Sequence, residues 1–165
     1  MSDILYSPWR LKYILSAKND QCIFCLRPSA EADEKQFILY RSQHSFVIMN
    51  MFPYNNGHLM AVPFRHVCRL NDLDSEEIGD LFSTVRLCEK VLQNVYNPDG
   101  LNVGINLGRA AGAGIDTHLH VHVIPRWNGD VNFMTVVNGT RIIPEAFERA
   151  YHQLKEQFDS LKDEK

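Results

Sequence analysis

The chain has 165 residues, 45% hydrophobic and 22% charged, with a net charge of −3. That balance is globular, excludes disordered and collagen-like chains, and suits one domain with one sizeable core. The slight acidity argues against a broad nucleic-acid surface, no apolar run reaches the roughly 18 residues of a membrane span, and Met1-Ser2-Asp3 opens no export pattern; the expectation is a cytoplasmic protein with neither nucleic acid nor membrane as partner.

In chain order, residues 1–20 carry Trp9, Arg10, Tyr13 and Ile14 in an amphipathic lead-in, and residues 28–35 are a polar turn or short helix. Phe37–Tyr40 and Phe46–Met51 read as strands around a Ser42-Gln43-His44 turn. Pro53-Tyr54-Asn55-Asn56-Gly57 is a loop by its turn residues, and His58–Pro63 a further apolar strand. Asp74-Ser75-Glu76-Glu77 places an acceptor at a helix N-cap and Glu three residues on. Ile78, Leu81, Phe82, Val85, Cys88, Leu92 and Val95 then recur at helical spacing until Asn97-Pro98-Asp99-Gly100 ends the helix. Leu101–Leu107 is a strand, Gly108–Gly114 a loop of small residues, and Asn128-Gly129-Asp130 a turn, with one more strand at Phe133–Val137. Pro144 suits a first helical turn, and Phe147, Tyr151, Leu154, Phe158 and Leu161 give that helix, about 144–160, its apolar stripe. Strands joined by connections too short for crossovers, with helices between, predict an α+β fold with an antiparallel sheet.

The four cysteines and seven histidines are unevenly placed. Cys22-Ile23-Phe24-Cys25 sets two thiols on one turn, a spacing that serves either a tetrahedral zinc ion or redox chemistry. There is no second such pair, so zinc would need His, Asp or Glu to complete its shell. Cys68 and Cys88 have no motif and read as small buried hydrophobes. In His118-Leu119-His120-Val121-His122 imidazoles alternate with aliphatics. On a strand that puts the three rings on one face and Leu119, Val121 and Val123 on the other. Spacing alone leaves three readings open: exposed surface histidines, a metal site, or an attacking imidazole with neighbours that set its tautomer. The preceding Gly108-Arg109-Ala110-Ala111-Gly112-Ala113-Gly114 would be a plain turn by itself; beside three histidines it also fits a cradle of backbone N–H groups for a phosphate, with Arg109 adding charge.

His118-Leu119-His120-Val121-His122-Val123-Ile124 resembles the complete motif of the histidine triad (HIT) superfamily of nucleotide hydrolases and transferases. Tyr6-Ser7-Pro8-Trp9-Arg10, Cys22–Cys25, Asn50–Pro63, Leu101–Gly108 and Arg126–Phe133 extend the resemblance to its bacterial branch related to diadenosine tetraphosphate phosphorylases; residues 27–36 and the last dozen carry little of it. The resemblance implies a single α+β domain over 1–165: an antiparallel sheet, one long helix and a C-terminal helix, with a zinc-stapled segment at about 1–35, dimerised through sheet and helix. It implies that His120 attacks the α-phosphorus, that His122 holds the phosphate and the leaving oxygen, and that His58 supports the triad from behind. Asn50 would contact ribose hydroxyls, and Asn106 and the loop residues Gly112, Ala113 and Gly114 the phosphates. Cys22, Cys25, His66 and His118 would form a closed, structural zinc site, and Mg²⁺ would at most accompany the substrate. The activity implied is cleavage of dinucleoside polyphosphates through a nucleotidyl-histidine. Alternatives are a nucleoside phosphoramidase or general nucleotide hydrolase and, in another class, a nucleotide-binding module whose hydrolysis is incidental. Related tetraphosphate phosphorylases often carry a hydroxyl in the loop before the triad; Ala110, Ala111, Ala113 and Gly114 supply none, which leaves both water and phosphate open as the acceptor.

Overall fold

The computed structural model describes residues 22–25, 33–130 and 145–162. Its sheet consists of β1 (Ile38–Arg41), β2 (Ser45–Met49), β3 (Leu59–Pro63), β4 (Gly100–Gly104) and β5 (Val121–Arg126). The order is β1-β2-β3-β5-β4, antiparallel throughout. Among the described residues two α-helices, α1 (Ser75–Tyr96) and α2 (Phe147–Lys162), complete an α+β fold. The expected lead-in at 1–20, the strand at Phe133–Val137 and Pro144 lie outside the described residues.

Side chains alternate across the strands into two cores. Val47 and Met49 of β2, Leu59 and Ala61 of β3, and Val121 and Val123 of β5 face α1 and α2, where they meet Leu81, Val85, Cys88, Leu92, Leu154 and Phe158. Phe46, Ile48, Met60 and Val62 point the other way and pack beneath Phe24. With both faces covered, β2 and β3 are buried along their whole length. That is why they read as continuous apolar runs rather than as alternation.

The long helix begins as its sequence requires. Asp74 accepts from Glu77 N–H at 2.9 Å, and the Glu77 carboxylate in turn accepts from Asp74 N–H at 2.9 Å. Its far end closes on Asn97 in the left-handed region (φ 43°). Arg65 binds the Glu77 carboxylate and, with the Asp74 amide, holds it down to about 2. Asp80 on the same helix ties down the β1–β2 turn by accepting from Ser42 Oγ, His44 N–H and Ser45 Oγ.

Several expectations need correction. The triad does not form one continuous strand: pairing in β5 starts at Val121, and Leu119 N–H instead donates to Val67 O at 2.6 Å. Nor do its histidines form an exposed row, since His118, His120 and His122 are all buried. The strand expected to reach Leu107 ends at Gly104, where the ladder with β5 ends. Ile78 and Phe82, placed on the buried stripe of α1, are exposed. Cys88 is fully buried but Cys68 is exposed, because the segment after β3 runs along the surface.

Candidate active site and metal group

Strand pairing assembles the histidines. Met60 of β3 lies opposite His122 of β5, and His58 is two residues before Met60 on the same face. That diagonal relation lets the rings meet: His58 Nε2 lies 2.9 Å from His122 Nδ1. The His120 ring stands nearly perpendicular to that of His122, with centroids 4.9 Å apart.

Hydrogen bonds set the state of each ring, starting from groups that can only donate or only accept. Tyr54 N–H can only donate, and it donates to His58 Nδ1 at 3.1 Å. His58 therefore carries its hydrogen on Nε2 and donates it to His122 Nδ1. His122 in turn carries its hydrogen on Nε2. His118 O can only accept, and it accepts from His120 Nδ1–H at 2.9 Å, so the lone pair of His120 is on Nε2. The loop before β3 thus orients a hydrogen-bond donor, and the backbone of His118 orients an imidazole lone pair.

Burial keeps the rings neutral. It lowers His58 to about 3, helped by the nearby His122 and His120, and lowers His122 to about 4, helped by His120. His120 is also lowered, chiefly by burial and against the opposing effect of its bond to His118 O. A neutral imidazole retains the lone pair that attack requires.

The other expected substrate residues take varied positions. The Asn50 amide nitrogen lies 3.3 Å from His58 Nδ1, and its Oδ1 accepts from Phe52 N–H at 2.9 Å. Asn106 is half-buried just beyond β4. In the small-residue loop, Gly112 N–H donates to Arg109 O, and the amides of Ala111 and Ala113 donate to Gly108 O. Gly114 follows these turns, and a Cβ at Gly112 or Gly114 would meet nothing within 4 Å. Arg109 is exposed and paired with Asp116 at 2.8 Å.

The cysteine pair meets the triad from the other side. The ligand atoms of Cys22, Cys25, His66 and His118 all lie within 4.8 Å of one another. His118 Nδ1 is 3.4 Å from Cys22 Sγ and 3.5 Å from Cys25 Sγ, and His66 Nδ1 is 3.0 Å from Cys25 Sγ. Zinc bonds of about 2.3 Å to sulfur and about 2.0 Å to nitrogen give tetrahedral S···N edges of roughly 3.5 Å. The donor set fits such an ion. His118 is prepared for it: Nε2–H donates to Pro63 O at 2.9 Å, leaving the Nδ1 lone pair for the metal.

Two contributing residues escape sequence reasoning. The Tyr54 ring stacks on His58 with centroids 5.0 Å apart, and Phe24 touches both His118 and His120. For Phe24 the signal was present, since it lies inside the cysteine turn; what it packs against is decided by tertiary structure.

Comparisons with known proteins agree with this site. The model of the HIT domain matches residues 31–129. An AP-4-A phosphorylase of Mycobacterium tuberculosis is 40% identical over 149 residues, which cover 86% of this chain and 76% of that protein. A bis(5'-nucleosyl)-tetraphosphatase (asymmetrical) of Schizosaccharomyces pombe is 39% identical over 93 residues, 56% of this chain and 50% of that protein. Among solved structures, a Zn-bound histidine triad family protein from Mycobacterium smegmatis superposes with a TM-score of 0.67 at 25% identity, covering 87% of this chain and 97% of that one. The domain match takes in the β-sheet and the triad together, and this chain belongs to the HIT domain family.

Proposed function

We propose that this protein is an enzyme that cleaves dinucleoside polyphosphates at the α-phosphate, through a nucleotide carried on His120. The observation that carries the reading is the His120 Nδ1–H bond to His118 O, which leaves Nε2 as the nucleophile. The relatives named as a phosphorylase and a tetraphosphatase support the substrate class.

Attack by His120 Nε2 forms a P–N bond and breaks the P–O bond to the departing polyphosphate, which takes the electron pair. The nucleotidyl ring keeps its Nδ1–H and is cationic, and His118 O stabilises that charge. His122 Nε2–H donates a hydrogen bond to the phosphate and leaving oxygen, in the orientation fixed by His58 and Tyr54. Asn50 and Asn106 are assigned to the ribose and phosphates, and Gly112, Ala113 and Gly114 to the phosphate chain. Water or inorganic phosphate then displaces His120 and releases the nucleotide.

Cys22, Cys25, His66 and His118 are assigned a structural zinc ion; with four protein ligands, its contribution is rigidity. Thiols placed to ligate a metal suit a reducing cytoplasm. A homodimer fits the edge position of β4 and the exposed Val103, Ile78 and Phe82.

The test is turnover of diadenosine tetraphosphate with and without inorganic phosphate, by wild type and His120→Ala. ADP plus ATP formed only with phosphate marks a phosphorylase, whereas phosphate-independent products mark a hydrolase. Wild-type turnover by His120→Ala refutes the covalent reading, and preference for a nucleoside phosphoramidate points to the phosphoramidase.

A further inference from the structure

We infer that Phe24 is a positioning residue, whose ring transmits the geometry of the cysteine turn to the attacking histidine. Phe24 sits between the two metal-ligand cysteines and is only 2% exposed. Its ring meets His118 edge-on, with centroids 5.4 Å apart and planes at 71°, and lies 5.3 Å from the His120 ring at 45°. One side chain therefore touches a metal ligand and the nucleophile. Beneath it lie Ile38, Phe46, Ile48, Met60 and Val62, a separate core on the face of the sheet opposite the helices.

His120 is fixed through Nδ1 by one hydrogen bond to His118 O. That bond holds Nδ1, and the rest of the ring is held by its packing. The Phe24 ring and the perpendicular His122 ring both lie against it. Near-attack geometry tolerates little error: a misplacement of about 1 Å costs on the order of 100-fold in rate. The Cys25 N–H bond to Cys22 O at 3.0 Å closes the turn that carries Phe24, so the conformation that presents both thiols also presents the ring. The metal group, on this reading, holds the nucleophile by two routes: the His118 backbone and the Phe24 side chain.

The inference rests on His120 being the nucleophile, and its test separates the two claims. Phe24→Leu keeps an apolar side chain in the core and removes the ring; Phe24→Ala is the stronger perturbation. With zinc still at one per chain and unfolding still cooperative, kcat of Phe24→Leu is expected to fall about 10- to 100-fold while KM stays within about 3-fold. The second readout needs no turnover: the ¹H–¹⁵N resonance of His120 Nδ1–H, assigned by its loss in His120→Ala, shifts or broadens in zinc-loaded Phe24→Leu. An unchanged resonance with an unchanged kcat overturns the inference, as does zinc loss that accounts for the whole effect. A shifted resonance in a protein whose His120→Ala variant turns over normally keeps the positioning and refutes the catalytic assignment.

Discussion

Replacing Gly57 with alanine tests the packing that presents His58. Gly57 has φ +70°, in the left-handed region, where a Cβ costs roughly 1–2 kcal/mol. The added Cβ would also lie 2.7 Å from Tyr96 Cε2, 3.1 Å from Tyr96 Cδ2 and 3.2 Å from Leu92 Cδ2. Those neighbours cannot move aside easily. The Tyr96 hydroxyl donates to Glu145 at 2.9 Å, Asn56 Nδ2 holds the same carboxylate at 2.8 Å, and the ring meets Trp127 edge-on. Leu92 is fully buried. Overpacking of this kind costs about 1–3 kcal/mol, so Gly57→Ala is expected to lose roughly 2–5 kcal/mol in urea unfolding. If the chain yields by shifting the loop, the next residue, His58, moves off His122, and kcat falls as well. Gly79→Ala is the control. It sits exposed in α1, where a Cβ meets nothing within 4 Å, and it should gain about 0.5–1 kcal/mol. A Gly57→Ala protein within about 0.5 kcal/mol of wild type would refute the reasoning.

Stability should depend on pH through the buried imidazoles. His58 and His122 are lowered to about 3 and about 4, so below the ordinary value of 6.5 the unfolded chain binds protons that the folded one refuses. Stability is therefore complete above about pH 6.5 and is lost progressively as the pH falls from there toward the folded values. Glu77 and Asp130, both held near 2, add to the loss only below about 4.5. Flat unfolding free energy between pH 7.5 and 5 would contradict the tautomer chain. Cys22→Ser should lose its zinc by elemental analysis while His120→Ala keeps it; the reverse pattern would move the metal into the triad. Asp74→Ala, which breaks the capping box of α1, should cost about 0.5–2 kcal/mol in urea unfolding with kcat unchanged.

Much of this was legible in the sequence because short-range chemistry decided it. The Asp74–Glu77 box marks the start of α1, and Asn97 closes it, since caps depend on residues a few positions apart. The set Cys22, Cys25, His66 and His118 came from resemblance rather than spacing, and the fold brings its atoms together across up to 96 positions of chain. Exposure was harder to read. Alternation in the triad says that the three rings share a face but not whether water reaches it; Phe24 lies against His118 and His120, and His66 against His118. Ile78 and Phe82 fit the helical period of α1 yet face outward, because a period assigns residues to a stripe without fixing the edges of the contact. Cys68 was misplaced for a simpler reason: residue type predicts burial only on average.

The arrangement at His118 ties the Cys/His group to the proposed nucleophile His120, two residues on. Three polar atoms of His118 have separate tasks. Its Nε2–H binds Pro63 O, its Nδ1 faces the two thiols, and its carbonyl takes His120 Nδ1–H. Had residues 118–120 continued the β5 ladder, the His118 carbonyl would have been drawn toward a strand partner. Because pairing starts only at Val121, that carbonyl stays with His120 Nδ1–H. Two residues later the ladder becomes necessary, because Met60↔His122 is what brings His122 to His58. A slip of one residue between β3 and β5 would turn His122 into the helix-side core and Val123 toward His58. That slip is opposed by Val121 and Val123, both fully buried against α1 and α2. The aliphatics between the histidines therefore act on the chemistry through register, and the pattern His-Leu-His-Val-His-Val is one physical device: apolar residues lock the strand, and the locked strand delivers the rings.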